Sequence, residues 1–179
     1  MVRKNKETTF KEFEDKISGF ETMFENDRYL AETLLSGEKE LLNNLFWLTS
    51  LLISGVVFFG QYFLSISEML ASSFLLLSVY VLIGLTVITV LLFLTYRTVL
   101  NRYAIANSVR TIEAKELAGL FRASLLEKLE DKSNRMHDAT KVLRTVHQQL
   151  VNVKRWFFLS LFISFGVLGF VYFELIYLK

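Results

Sequence analysis

The sequence predicts an all-α integral membrane protein with three transmembrane helices and long cytoplasmic helices that form a coiled-coil-like bundle. Three observations predict it. The 179 residues are 53% hydrophobic yet include 20 Lys or Arg and 18 Asp or Glu, and the two populations occupy different stretches of the chain. Three uncharged runs are each long enough, at 18 residues or more, to read as a membrane helix. Pro and Cys are both absent, which removes X-Pro breaks, a disulfide framework, a Cys-ligated metal and a thiol nucleophile together. The net charge of +2 is too small to draw a nucleic acid or an anionic surface, so only the local charge pattern speaks to partners.

The first segment, residues 1–44, is expected to be cytoplasmic and helical. Thr9 followed by Glu12 forms a capping box, and Phe10, Phe13, Ile17, Phe20 and Phe24 recur at 3,4,3,4 spacing. The seam continues, shifted by one residue, through Leu30, Leu34, Leu41 and Leu45, with a break expected at Ser36-Gly37. Ten acidic and seven basic residues cover the other faces. That net charge of −3 is repelled by anionic lipid, so packing on protein is expected over a membrane-surface role.

Residues 45–96 form a transmembrane hairpin. The 22 residues of 45–66 carry no charge and span about 33 Å as a helix, a match to a hydrocarbon core of about 30 Å. Residues 69–96 give 28 more, about 42 Å, so part of this second span should protrude. Only Ser67 and Glu68 join the two. The third span, 156–179, has 18 uncharged residues before Glu174.

Charge fixes the expected orientation. Seven basic residues lie in 1–44 and twelve in 97–155, against none at the hairpin tip and Lys179 alone beyond the third span, which puts the N-terminus in the cytoplasm and the C-terminus outside. Trp47, Tyr96 and Trp156 are expected at the inner interface and Tyr62, Tyr172 and Tyr177 at the outer one. No secretory signal peptide or myristoylation site is expected before residue 45.

Residues 97–155 read as a helical excursion that leaves and re-enters the membrane, turning at Asp131-Lys132-Ser133-Asn134. The returning arm, 134–155, has 22 residues and the outgoing stretch, 97–131, has 35, so a break at Gly119 is expected, with a short helix over 120–130 crossing the tip. Met136, Ala139, Leu143, Val146, Leu150, Val153 and Phe157 hold an unbroken 3,4,3,4 register on the returning arm. This seam needs a partner, either the outgoing arm of the same chain or the same helix of a neighbouring subunit, and the spacing serves both.

The same register enters the third span as Ser160, Ser164, Val167, Val171 and Glu174, so an apolar seam becomes partly polar at membrane depth. Hydroxyls and a carboxylate there either bond a neighbouring helix or line a wetted path, with Val167 and Val171 as its apolar constriction. A similar stripe in the first span runs Ser50, Ser54, Phe58, Gln61 and Ser65. Ser160, Ser164, Val167, Val171 and Glu174, with Gln61 of the first span, are the candidate pore lining.

No enzyme is expected. His137 and His147 are ten residues apart on a helix, about 280° around, so they cannot form an i, i+4 metal pair, and no cofactor motif or catalytic constellation is present. Segment 97–155 has twelve basic and six acidic residues. Arg97, Arg102, Lys154 and Arg155 suit positive-inside anchoring. Arg110, Lys115, Arg122 and Arg144 lie farther out and, with Arg102 beside the stackable ring of Tyr103, are the candidate phosphate contacts, which symmetry in an oligomer would multiply into rings.

A two-span hairpin with a minimal outer turn, followed by the basic helix TYRTVLNRYAIANSVRTIEAKEL, resembles the SLATT-type membrane effectors of bacterial conflict systems and the channel effector of the Hailong anti-phage system. The likeness is architectural and covers roughly residues 10–155; the third span departs from the simplest two-span pattern. It implies an oligomeric pore in the bacterial inner membrane, gated by a nucleotide or short oligonucleotide. The seams alone lead to a homo-oligomeric ion-conducting pore or, in another class, to a membrane-anchored scaffold that docks a cytoplasmic partner protein.

Overall fold

The computed structural model describes the backbone of residues 2–66, 73–122 and 126–177, and side chains at 22, 24–61, 76–120, 131–174 and 176–177. The described residues form three helices: α1 (Val2–Ile66), α2 (Ser73–Arg122) and α3 (Leu126–Tyr177). Each is long and apolar enough to cross a membrane. Helices of that length and hydropathy are those of a multi-pass membrane protein.

The helices are longer than the spacing of breakers predicts. α1 passes through Ser36-Gly37 and α2 through Gly119 without interruption. A single glycine costs a helix only about 1 kcal/mol relative to Ala, and packing on both sides of it outweighs that. The side chains that would form the seam at Phe10, Phe13, Ile17 and Phe20, and the capping pair Thr9 and Glu12, lie outside the described side chains, as does Tyr62.

The turn expected at 131–134 is also helical, within α3. Two contacts explain why these turn-forming residues stay in the helix. Asp131 pairs with Arg135 one turn on, at 3.1 Å, and Lys132 reaches α2, where Glu113 accepts a hydrogen bond at 3.1 Å and Glu116 a second. The mismatch between outgoing and returning arms is reduced without a break at Gly119, because α3 begins before the expected turn. With α2 ending at Arg122 and α3 starting at Leu126, the arms of 97–122 and 126–155 span about 39 and 45 Å. Among the described residues, 120–122 belong to α2 and 126–130 to α3, in place of the separate crossing helix expected over 120–130. The hairpin tip at Ser67 and Glu68 falls outside the described residues, and α2 starts at Ser73, later than residue 69.

The chain divides into a charged unit, Met1–Glu38 with Asn101–His147, and an apolar unit, Lys39–Leu100 with Gln148–Lys179. In the charged unit Ala31, Tyr103, Asn107, Ala114, Leu117 and Leu143 are buried. In the apolar unit α2 buries Leu82, Thr86, Thr89, Phe93, Tyr96 and Leu100, a 4,3,4,3,4 seam. Leu45, Thr49 and Leu52 of α1 and Leu150, Phe157, Ser160, Leu161, Ser164 and Val171 of α3 are buried in the same unit. Tyr96 stacks on Phe157 at a centroid distance of 6.5 Å and an interplanar angle of 9°, so it is a core residue and not a belt residue. Trp47, Trp156, Tyr172 and Tyr177 are exposed, as interfacial aromatics are. A Cβ on Gly55 would stand 3.2 Å from a Leu168 side-chain carbon, so α1 and α3 approach closely there.

The outside of the apolar unit is apolar as well: Leu51, Phe58, Val87, Leu91 and Phe162 are all exposed. Such a surface is unfavourable in water and suited to hydrocarbon, where the driving force for helix association is packing and polar contacts inside the bundle.

Candidate functional site

Two polar stripes were expected at membrane depth, and the structure treats them differently. On α3, Ser160 and Ser164 face α2, where Thr89 stands between them. The Thr89 hydroxyl is 2.7 Å from the Ser160 hydroxyl and 3.2 Å from that of Ser164. Thr89 also donates to the Leu85 carbonyl, and Ser164 to the Ser160 carbonyl, each at 2.8 Å. All three side chains are buried. Three hydroxyls therefore satisfy one another and the backbone inside one chain, which is the helix-gluing arrangement for small polar residues in an apolar bundle. Val171 is buried beyond them, while Val167 and Glu174 are half-buried. Of the two arrangements expected for this stripe, a bond to a neighbouring helix is the one seen at Ser160 and Ser164.

Thr89 belongs to no expected stripe because the run 69–96 was remarkable in sequence only for lacking charge. The available signal was its place in the 3,4 seam with Leu82, Thr86, Phe93 and Tyr96, a seam whose polar members need polar partners.

The α1 stripe stays outside. Ser54 and Gln61 are exposed and Ser50 is half-buried. Ser50 and Ser54 donate to the carbonyls of Phe46 and Ser50 at 2.8 and 2.9 Å, so their hydroxyls tolerate an apolar surround. The primary amide of Gln61 has two donors and one acceptor, more than a one-turn back-bond can serve.

The heptad seam of α3 is split between two tasks. In the charged unit Leu143 is buried while Met136, Ala139 and Val146 are half-buried. In the apolar unit Leu150 is buried and Val153 half-buried. One edge of the seam thus packs in cis. The other edge, Ala139 and Val146 with Val142 between them, lines an open groove on α2 and α3.

The candidate phosphate contacts do not converge. Arg110 donates to Asp27 at 3.0 Å, and only 16% of its side chain is exposed. This pair fastens α1 to α2 and occupies the guanidinium. Arg102 is exposed in the wall of the groove. Lys115 is exposed on α2, 13 positions on and about 140° around the helix from Arg102. Arg144 is exposed two positions past Val142, about 200° around α3. The side chain of Arg122 lies outside the described residues. Among the described residues no group of three or more His, Asp or Glu is placed to hold a metal ion.

Tyr103 is buried beside His147, with ring centroids 5.8 Å apart. Burial raises the pKa of its phenol above the ordinary value, against the pull of Arg110. The ring is thus a neutral packing residue, turned away from the solvent where a base would stack.

Lys132 bridges two carboxylates, and its charge state ties the ends of α2 and α3 together. Its hydrogen bond holds the Glu116 carboxyl below the ordinary range, and the same bond, with that to Glu113, holds the ammonium above its ordinary value. For Glu116 the stabilisation is complete above the unfolded pKa of about 4.3 and is lost as pH falls through the lower folded value. For Lys132 it is complete below the unfolded pKa of about 10.4 and is lost as pH rises through the higher folded value. The melting-temperature difference between the wild type and Lys132→Met should therefore be flat from about pH 5 to pH 10 and shrink on both sides. A difference that instead changes steadily across neutral pH would show that the bridge is not its source.

No protein-family model, curated protein or solved structure matches the chain.

Proposed function

We propose that the chain is a homo-oligomeric ion-conducting pore of a bacterial inner membrane, with the α1 stripe, not the α3 hydroxyls, bordering the path. The observation that carries this reading is the contrast between the stripes. The chain closes its own hydroxyls at Ser160 and Ser164 with Thr89, yet leaves Gln61 exposed on the outer surface of its apolar unit. A primary amide in lipid is unfavourable and gains a partner, or water, when copies meet around an axis. The resemblance to anti-phage channel effectors supplies the setting, and Arg102, Lys115 and Arg144, exposed on separate faces of the charged unit, are the cations that assembly would bring together from different copies for a nucleotide or short oligonucleotide to gate it. With the seven basic residues of 1–44 and the twelve of 97–155 in the cytoplasm, the N-terminus is cytoplasmic and the C-terminus outward.

The test is ion flux from liposomes loaded with the purified protein, whose oligomeric mass in detergent is measured on the same sample, with and without short oligonucleotides. Gln61→Leu should leave the mass unchanged and lower flux by about tenfold, the factor given by about 1.4 kcal/mol of added barrier. An oligomer without flux would remove the pore and favour the membrane-anchored scaffold. The open groove of the charged unit is the observation that favours this second reading, since a docking protein needs such a face.

A further inference from the structure

The charged unit carries two exposed apolar features that do not meet within one chain. The first is the groove of about 360 Å³ between α2 and α3, walled by Ile105, Val109, Ala139, Val142 and Val146, with Arg102 its charged member. Ile105 is 64% exposed and Val142 54%. The second is a ridge on α1, where Tyr29 is 70% and Leu30 64% exposed, with Leu34 beside them. Thr33 and Gly37 complete this face at i+4 spacing, and a Cβ on Gly37 would meet nothing within 4 Å, so a neighbouring helix can approach closely there.

Charge separates the same two features. The α1 part of the unit, residues 1–38, has six basic and nine acidic residues, net −3; the α2 and α3 part, 101–147, has nine basic and six acidic, net +3. We propose that the α1 ridge of one copy seats in the α2/α3 groove of the next, a head-to-tail contact between copies of this chain. The inference rests on the homo-oligomeric reading above and names its joint. A second copy is the occupant because ridge and groove, of opposite charge, are both on this chain, and a heterologous contact that closes into a ring leaves neither exposed. A groove-to-groove dimer would instead set +3 against +3 and leave every ridge bare. The contact also accounts for the split heptad seam, with Leu143 in the chain's own core and Ala139 and Val146 kept open for the neighbour.

The chain has no cysteine, so engineered pairs report without background. Full-length chains bearing Tyr29→Cys or Val142→Cys, on different tags, are co-expressed and oxidised in membranes. A cross-link between the two tagged chains is expected, and a chain carrying both substitutions should give a ladder that stops at the size of the ring. Val142→Glu, at an exposed position that leaves the fold intact, should shift the detergent mass to that of one chain with helix content unchanged. Oligomeric mass with no Tyr29-to-Val142 link, or with Val142→Cys linking to itself, would overturn the joint and leave the oligomer standing. A monomeric wild type would overturn both. Cross-linked rings that pass no ions would sustain the joint and remove the pore.

Discussion

Phe157→Ala is expected to destabilise the apolar unit by about 3 kcal/mol, the lower end of the range for a buried Phe truncated to Ala. Phe157 is fully buried, and its ring touches Phe93 at 6.0 Å and Tyr96 at 6.5 Å between centroids. In lipid the transfer part of the usual cost is small, because hydrocarbon replaces the buried surroundings with an equally apolar medium. The cavity remains, since Phe93 and Tyr96 lose their contacts on one side and rigid helices collapse only in part. Phe162, five positions on, is 81% exposed, and its truncation should cost little. The comparison is made by denaturant titration in mixed micelles, followed by circular dichroism. Equal losses for the two substitutions would mean that the three-helix packing is not the folded state in the membrane.

Length and charge made the three helices legible, but not their ends. An uncharged run declares a span by itself, whereas Gly37, Gly119 and the Asp131-Asn134 stretch were weighed as local breakers. Beside the local Asp131–Arg135 pair, the packed helices carry contacts the sequence does not announce: the Asp27–Arg110 pair across α1 and α2, and the bridge from Lys132 to Glu113 and Glu116, join residues 83, 19 and 16 positions apart. No window of local propensity contains those contacts. The candidate site was half legible for a related reason. The hydroxyl stripe of α3 was visible as a pattern, and whether it faced water or another hydroxyl depended on Thr89, 71 and 75 positions away. Ser50, Ser54 and Gln61 carry the same pattern, and nothing in their spacing distinguishes an inner stripe from an outer one.

Thr89→Leu should be the second large loss, about 2–4 kcal/mol, and it separates the glue reading of the α3 hydroxyls from a lumen reading. Leucine adds volume at a fully buried position, which in a packed core costs about 1–3 kcal/mol. It also strips Ser160 and Ser164 of their interhelical partner, worth about 0.6 kcal/mol on average for such bonds in membranes and up to about 1.7. Thr89→Val combined with Ser160→Ala and Ser164→Ala removes the whole network at nearly constant shape, and replacing both partners of a bond by apolar groups is close to neutral. The triple variant should therefore keep wild-type stability and oligomeric mass while Thr89→Leu does not. Its flux should equal that of the wild type if, as proposed, the path runs along α1. A triple variant that folds and assembles but loses conduction would place the water path at Ser160 and Ser164 after all, with α2 moving aside when the pore opens.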